Sequence, residues 1–188
     1  MTPMRKLFFS MSVSLDGYIN GPDGTFGWTA PSEELHRFHN ERVAKIGTQL
    51  LGRRLYETML FWEADEWDDP VMADFARVWK GLERIVFSRT LSTVQGDARL
   101  ATRGVAEEVA ALKAQPGKPI AVGGAGLAAE CTKLGLIDQY ELFVYPVVAG
   151  GGTPYFPLLD GLLELELAET RTFGSNVVYL RYVVPALD

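Results

Sequence analysis

Apolar positions in this chain fall into short runs separated by stretches of helical period, and only near the end do they alternate with polar ones. Residues 7–14 read as a buried strand, closed by the turn chemistry of Asp16-Gly17 and Asn20-Gly21-Pro22-Asp23-Gly24. Pro31 and Ser32 open a helix. Glu33 and Glu34 lie at its positive end, Leu35, Phe38, Val43 and Ile46 form its apolar stripe, and Gly47 ends it. A strand at 48–51 stops at Gly52, and residues 53–60 have helical character. Asp69-Pro70 supplies an N-cap and first-turn pair for a helix running to about Gly81, where glycine suits a left-handed cap.

Strand 84–87, helix 105–114, strand 119–122 and a helix from Gly124 to near Gly135 continue the alternation, which predicts a largely parallel sheet. The end differs. Residues 140–148 form a long apolar strand, and 163–173 and 177–184 make a hairpin around Gly174-Ser175-Asn176. The expected fold is a single α/β domain over 1–188, with a central mixed, mainly parallel sheet flanked by helices and a C-terminal antiparallel hairpin.

With 188 residues, 47% hydrophobic and 22% charged, and a mean hydropathy of +0.04, the chain has the composition of one globular domain. The net charge of -6 gives no basic face for nucleic acid or an anionic membrane. Cys131, the single cysteine, cannot form an internal disulfide or a zinc knuckle, which fits a reducing cytoplasm. Residues 1–9 are read as the start of a strand rather than a signal peptide, the whole chain as mature protein, and no apolar run is long enough to span a bilayer.

The run from Ala121 to Ala129, AVGGAGLAA, is a strand that enters glycines and then a helix. Backbone N–H groups at such a helix start can bind pyrophosphate. Gly124, Gly126 and Ala129 also fit G-x-G-x-x-A, but a Rossmann unit needs an acidic residue ending the next strand, and Asp138 and Glu141 stand at its start. A glycine turn that merely packs a helix on a sheet is the plainer alternative. Gly52-Arg53-Arg54 and Ser88-Arg89 place arginines at two other strand ends, where a parallel sheet gathers them on one rim; taken alone, each arginine reads first as a solvated surface charge.

In order, these segments resemble the dihydrofolate reductase superfamily, and more closely the reductase domain of bifunctional riboflavin-biosynthesis deaminase-reductases and its stand-alone relatives. Ser14-Leu15-Asp16-Gly17-Tyr18-Ile19 is similar to the loop over the nicotinamide, Gly52-Arg53-Arg54-Leu55-Tyr56-Glu57 to the G-R-x-T-x-E segment, and Val122-Gly123-Gly124-Ala125-Gly126 to the diphosphate turn. Residues 145–156, with Gly150-Gly151-Gly152-Thr153, resemble the late loop that closes on the cofactor. The resemblance implies NADPH as cofactor. Arg53 and Arg89 would hold the 2′-phosphate, with Arg54 in support, since Leu55 stands where the family has Thr. Gly52 and Ser88 would border the nucleotide, Gly123, Gly124, Ala125, Gly126 and Leu127 would cradle the diphosphate, and Thr153 would close on it. Glu34 would take the place of the substrate-binding carboxylate, able to orient or protonate a ring nitrogen, with Asp16 on the substrate side.

The implied activity is hydride transfer to a C=N or C=O bond of a pterin-, pyrimidine- or related heterocycle, by a cytoplasmic homodimer. A non-catalytic nucleotide- or pterin-binding module of the same fold is the alternative. Glu33 and Glu34 as mere helix-start charges, and His36 and His39 as exposed polar residues rather than metal ligands with Glu33, are the bland readings of that helix. Trp62, Trp67, Phe75 and Trp79 read first as core, and otherwise as a pocket lining or oligomer surface. The deaminase zinc signature, a G-x-S-x-G elbow and a P-loop are all absent from the sequence.

Overall fold

The computed structural model describes residues 4–186. The first three positions of the expected 1–9 segment lie outside the described residues. Strands β1 (Leu7–Val13), β2 (Thr48–Gly52), β3 (Glu83–Phe87), β4 (Ala98–Leu100), β5 (Ile120–Gly123), β6 (Gln139–Val144), β7 (Glu166–Thr172) and β8 (Val178–Val183) form one sheet, ordered β4-β3-β2-β5-β1-β6-β8-β7. The six strands from β4 to β6 run parallel, while β8 and β7 join antiparallel, so the mixed sheet with its terminal hairpin is as the sequence predicts.

Helices α1 (Glu33–Val43), α2 (Arg53–Met59), α3 (Pro70–Lys80), α4 (Val105–Lys113) and α5 (Ala125–Lys133) supply the outer layers. Local chemistry explains their starts. The Ser32 hydroxyl accepts from the Leu35 amide, and the Asp69 carboxylate accepts from Val71 and Met72. Val105, Val109, Leu112, Leu127 and Cys131 of α4 and α5 pack on Phe9, Leu50, Ile85 and Val122 of one sheet face. On the other face Phe75 and Trp79 of α3 meet Phe8, Leu51 and Val86, and Leu35 of α1 meets Phe143, Phe173 and Tyr179.

Four expectations change. Gly81 caps α3 with φ -80°, not in the left-handed region, because the chain turns directly into β3. β6 stops at Val144, where Pro146 has no amide to continue the ladder. The first hairpin strand begins at Glu166 rather than 163, and its ladder shifts register between Leu167 and Glu169. Strand β4 had no pattern to announce it: three residues pair only with β3.

Two features set up the site. The parallel strands bring the C-terminal ends of β1, β2, β3, β5 and β6 to one rim. In addition, β1 and β5 pair only from Leu7–Ile120 to Phe9–Val122, and beyond that point β1 continues to pair with β6 alone. The sheet therefore opens between Met11 and Gly123.

Candidate active site

At the rim, Gly52 ends β2 and Arg53 opens α2. Arg53 donates from Nε to Glu57 at 2.9 Å and from Nη1 to the Thr90 hydroxyl at 2.8 Å, which ties it to the loop after β3. In that loop the Ser88 hydroxyl accepts from the amides of Thr90 and Leu91, so it shapes the turn that presents Arg89. Arg54 and Arg89 are exposed.

The third group is the turn after β5. Gly124 has φ +91°, a left-handed conformation that favours glycine, and a Cβ there would stand 3.7 Å from Leu55 Cβ and 3.9 Å from the Gly52 nitrogen. The rim thus brings the β2, β3 and β5 ends together. Helix α5 starts here without a side-chain cap, and a Cβ on Gly126 would meet nothing within 4 Å. Its first amides are left for an anion that can approach closely. The Leu127 side chain packs in the core, so only its backbone can belong to such a cradle. These residues fit a dinucleotide phosphate, with Ala125 buried beneath the turn.

Below the rim a cavity of about 530 Å³ lies beneath α1, α2 and α3 and reaches the opening between β1 and β5. Aromatic and aliphatic side chains, among them Phe8, Trp62, Phe75, Trp79 and Phe143, make most of its wall, a lining suited to a planar ring. The Trp62, Phe75 and Trp79 group is therefore both core and lining. Its polar members are Thr29 ahead of α1, His36, His39 and Arg42 from α1, Ser10 and Ser12 from β1, Gln49 from β2 and Glu141 from β6.

Burial pushes His39 down to about 4 and also lowers His36, so both rings are neutral near pH 7. The Glu141 side chain, 1% exposed, pairs with Arg42 and accepts from Gln139 Nε2 at 2.7 Å. Burial raises its pKa against the pull of the Arg42 guanidinium. Arg42 itself lies over the Phe8 and Tyr179 rings.

Glu34, Asp16, Thr153 and the α1 histidines have the following surroundings. Glu34 does not line the cavity: its carboxylate takes the Gly174 amide at 3.1 Å and lies 3.4 Å from Arg171, bracing the β7–β8 turn. Asp16 is not on the cavity wall either. It accepts from Ser14, from Ala149 at 2.9 Å and from Gly150 at 2.8 Å; the Ser14 hydroxyl, then these amides, hold its carboxyl down to about 2. Thr153 is likewise engaged, exchanging hydrogen bonds with Asn20, so the loops after β1 and β6 clasp each other at the rim. Finally, His36 and His39 are partly buried and face the cavity, while Glu33, the third member of the metal alternative, pairs with Arg37.

The composition of the cavity wall was partly legible. His36, His39, Val43 and Ile46 recur at helical spacing, a stripe beside the one containing Leu35 and Phe38. Glu141 entered the sequence reading only as an acid misplaced for a Rossmann unit, and nothing marked it as a cavity residue.

Comparison with known proteins agrees with this fold. The family model of the RibD C-terminal domain matches residues 5–179. An uncharacterized protein of Bacillus subtilis, YyaP, is 31% identical over 179 residues, covering 95% of this chain and 94% of its own. A putative riboflavin biosynthesis protein from Shewanella superposes with a TM-score of 0.74 at 20% identity, covering 97% of this chain and 100% of that one. A dihydrofolate reductase from Enterococcus faecalis, solved with NADP(H), gives 0.62 at 16% identity, covering 97% and 98%. At these identities the two solved structures show a shared fold.

Proposed function

Since the chain belongs to the family of the RibD C-terminal domain, we propose that it is an NADPH-dependent reductase of a small pyrimidine-, pterin- or related heterocycle. The observation that carries this reading is the rim itself: Arg53, held to Thr90, stands with the Arg89 loop and the uncapped start of α5 directly over an aromatic cavity. Arg53 and Arg89 bind the 2′-phosphate that separates NADPH from NADH, with Arg54 close by. The amides from Gly124 onward take the diphosphate. A bound reduced nicotinamide supplies the hydride.

The chain's own residues do the rest. The split between β1 and β5 gives a flat group access to the cavity between Ser12 and Gly123. The aromatic wall holds the substrate ring and excludes water, and the Asp16 and Asn20 clasps fix the two loops that border the entrance.

Titration with NADPH and NADH, followed by tryptophan fluorescence, tests the assignment. NADPH binds more tightly than NADH, and Arg53→Ala weakens NADPH by about 2 kcal/mol, roughly thirtyfold, with little effect on NADH. Equal affinity for both cofactors, or an Arg53→Ala variant that keeps the preference, removes the phosphate assignment. Loss of reduced-nicotinamide absorbance with a heterocyclic substrate separates a reductase from a module that only binds.

A further inference from the structure

Strands β1 and β6 run side by side along the cavity, with Ser10 beside Glu141 in the ladder and Ser12 beside Phe143. The rim lies at the C-terminal ends of these strands, so Glu141 stands two residues, about 7 Å, deeper than Phe143. It is the far end of the site as seen from the split between β1 and β5.

The two oxygens of Glu141 are treated unequally. Oε1 takes both available donors, Arg42 Nη2 and Gln139 Nε2. Oε2 is buried and has no hydrogen-bond partner in the protein. The Tyr179 hydroxyl, behind Arg42, is likewise buried without one, so the two do not satisfy each other. A carboxylate oxygen left in this way inside a folded chain costs free energy until a donor reaches it.

The other polar groups of the wall adapt to whatever they meet. The hydroxyls of Ser10 and Ser12, the Gln49 amide and the two imidazoles can each donate or accept. A carboxylate only accepts. Among the described residues that line the cavity Glu141 is the single carboxylate, and it therefore imposes a sign on its neighbour. Glu34, the carboxylate expected on α1 for this task, is turned to Arg171 and Gly174.

We propose that Glu141 determines substrate specificity from the sheet side of the cavity: its Oε2 takes an amino or ring N–H group on the edge of the substrate that enters first. This rests on the reading of the cavity as the substrate site and names what the leading edge of the ring must carry. The aromatic wall holds the ring faces, and the bond to be reduced lies at the opposite end, toward the split. A water molecule can serve Oε2 between ligands. An edge bearing a donor replaces that hydrogen bond, whereas an apolar edge of the same shape removes it and leaves the oxygen bare.

Two probes of equal shape test the proposal on the intact protein without cofactor: 2-aminoquinazoline, and 2-methylquinazoline, in which a methyl group replaces the amino group. At about pH 8, where the Arg42 pair is ionised, the amino compound binds at least tenfold more tightly by calorimetry, the return expected of a hydrogen bond to a charged acceptor. Glu141→Gln removes the preference and leaves the affinity for 2-methylquinazoline unchanged, because Arg42 and Gln139 keep the amide oxygen at the Oε1 position and the amide nitrogen falls where Oε2 was. On the wild-type protein, and so independent of how the variant folds, the amino protons of bound 2-aminoquinazoline give nuclear Overhauser effects to the Glu141 Cγ protons. Equal binding of the two probes, the result if the Tyr179 hydroxyl swings to Oε2 instead, overturns the proposal. So does a preference that survives in Glu141→Gln, or amino protons that lie against other residues. A protein that shows the preference but ignores NADPH refutes the reductase reading alone.

Discussion

At the level of single residues, His39 and Gly123 have measurable consequences. The His39 pKa in the folded state, about 4, lies below its ordinary 6.5, so the unfolded chain binds the proton more readily. Stability is therefore full above about pH 6.5 and declines as pH falls toward 4, by up to about 3 kcal/mol if no ligand is present. Denaturant titrations across that window should show the decline, and His39→Phe should flatten it; an unchanged slope would mean that another group is responsible. Gly123 faces a different constraint. A Cβ there would stand 2.5 Å from Leu55 Cδ2 and 3.0 Å from Gln49 Nε2, so Gly123→Ala should cost about 1–2 kcal/mol. Both obstacles are ends of flexible side chains, and Leu55→Ala in the same protein should recover most of that loss, a coupling that a double-mutant cycle reads directly. The same scale shows where sequence reasoning stops. Glu34 was assigned to the site by the family resemblance, and helical spacing could not test that, because it gives a residue's angle around α1 but not which neighbour lies at that angle. Leu35 and Phe38 turned out to face Phe143 and Phe173, which placed Glu34 over the hairpin and left the histidine stripe to the cavity.

Among the elements, those with their own start and stop chemistry were the legible ones. Ser32 and Asp69 announce α1 and α3, and the glycine run after β5 announces the turn into α5. What could not be read was pairing. The three-residue β4 has no periodicity, and the early separation of β1 from β5 depends on registers that no local pattern encodes. The clasp between the loops after β1 and β6 is a further case: Asp16-Gly17 reads as ordinary turn chemistry, and only the fold shows that both carboxylate oxygens are given to residues 149 and 150. Asp16→Ala should therefore speed hydrogen exchange at the Ala149 and Gly150 amides while leaving β1 amides protected. The acid dependence has a definite sign. The folded pKa of about 2 lies below the ordinary 3.8, so the clasp is intact above 3.8 and is lost as pH falls through about 2. Unchanged exchange in the variant would show that the Asn20–Thr153 bonds alone hold the loops.

For the whole molecule, the sequence carried the architecture further than the strand order. Alternating strands and helices imply that strand ends share a rim, which is enough to gather Arg53, Arg89 and the Gly124 turn without knowing that β5 lies between β2 and β1. The free edge raises the question of assembly. Strand β7 closes the sheet with mostly exposed side chains, and its Glu166, Glu169 and Arg171, together with the register shift after Leu167, discourage strand-to-strand pairing with another copy. The segment leading into it behaves differently: Leu158 and Leu162 are 95% and 97% exposed, and Leu167 is 55% exposed. Single exposed leucines are ordinary, but several in a segment beside an unpartnered edge mark a surface that a second copy of this chain would cover through side chains rather than backbone. Light scattering should then give a mass near twice the 20.8 kDa of the chain, and Leu158→Asp with Leu162→Asp should halve it without changing the circular dichroism spectrum. A wild-type protein that stays monomeric at high micromolar concentration would show that these leucines face solvent.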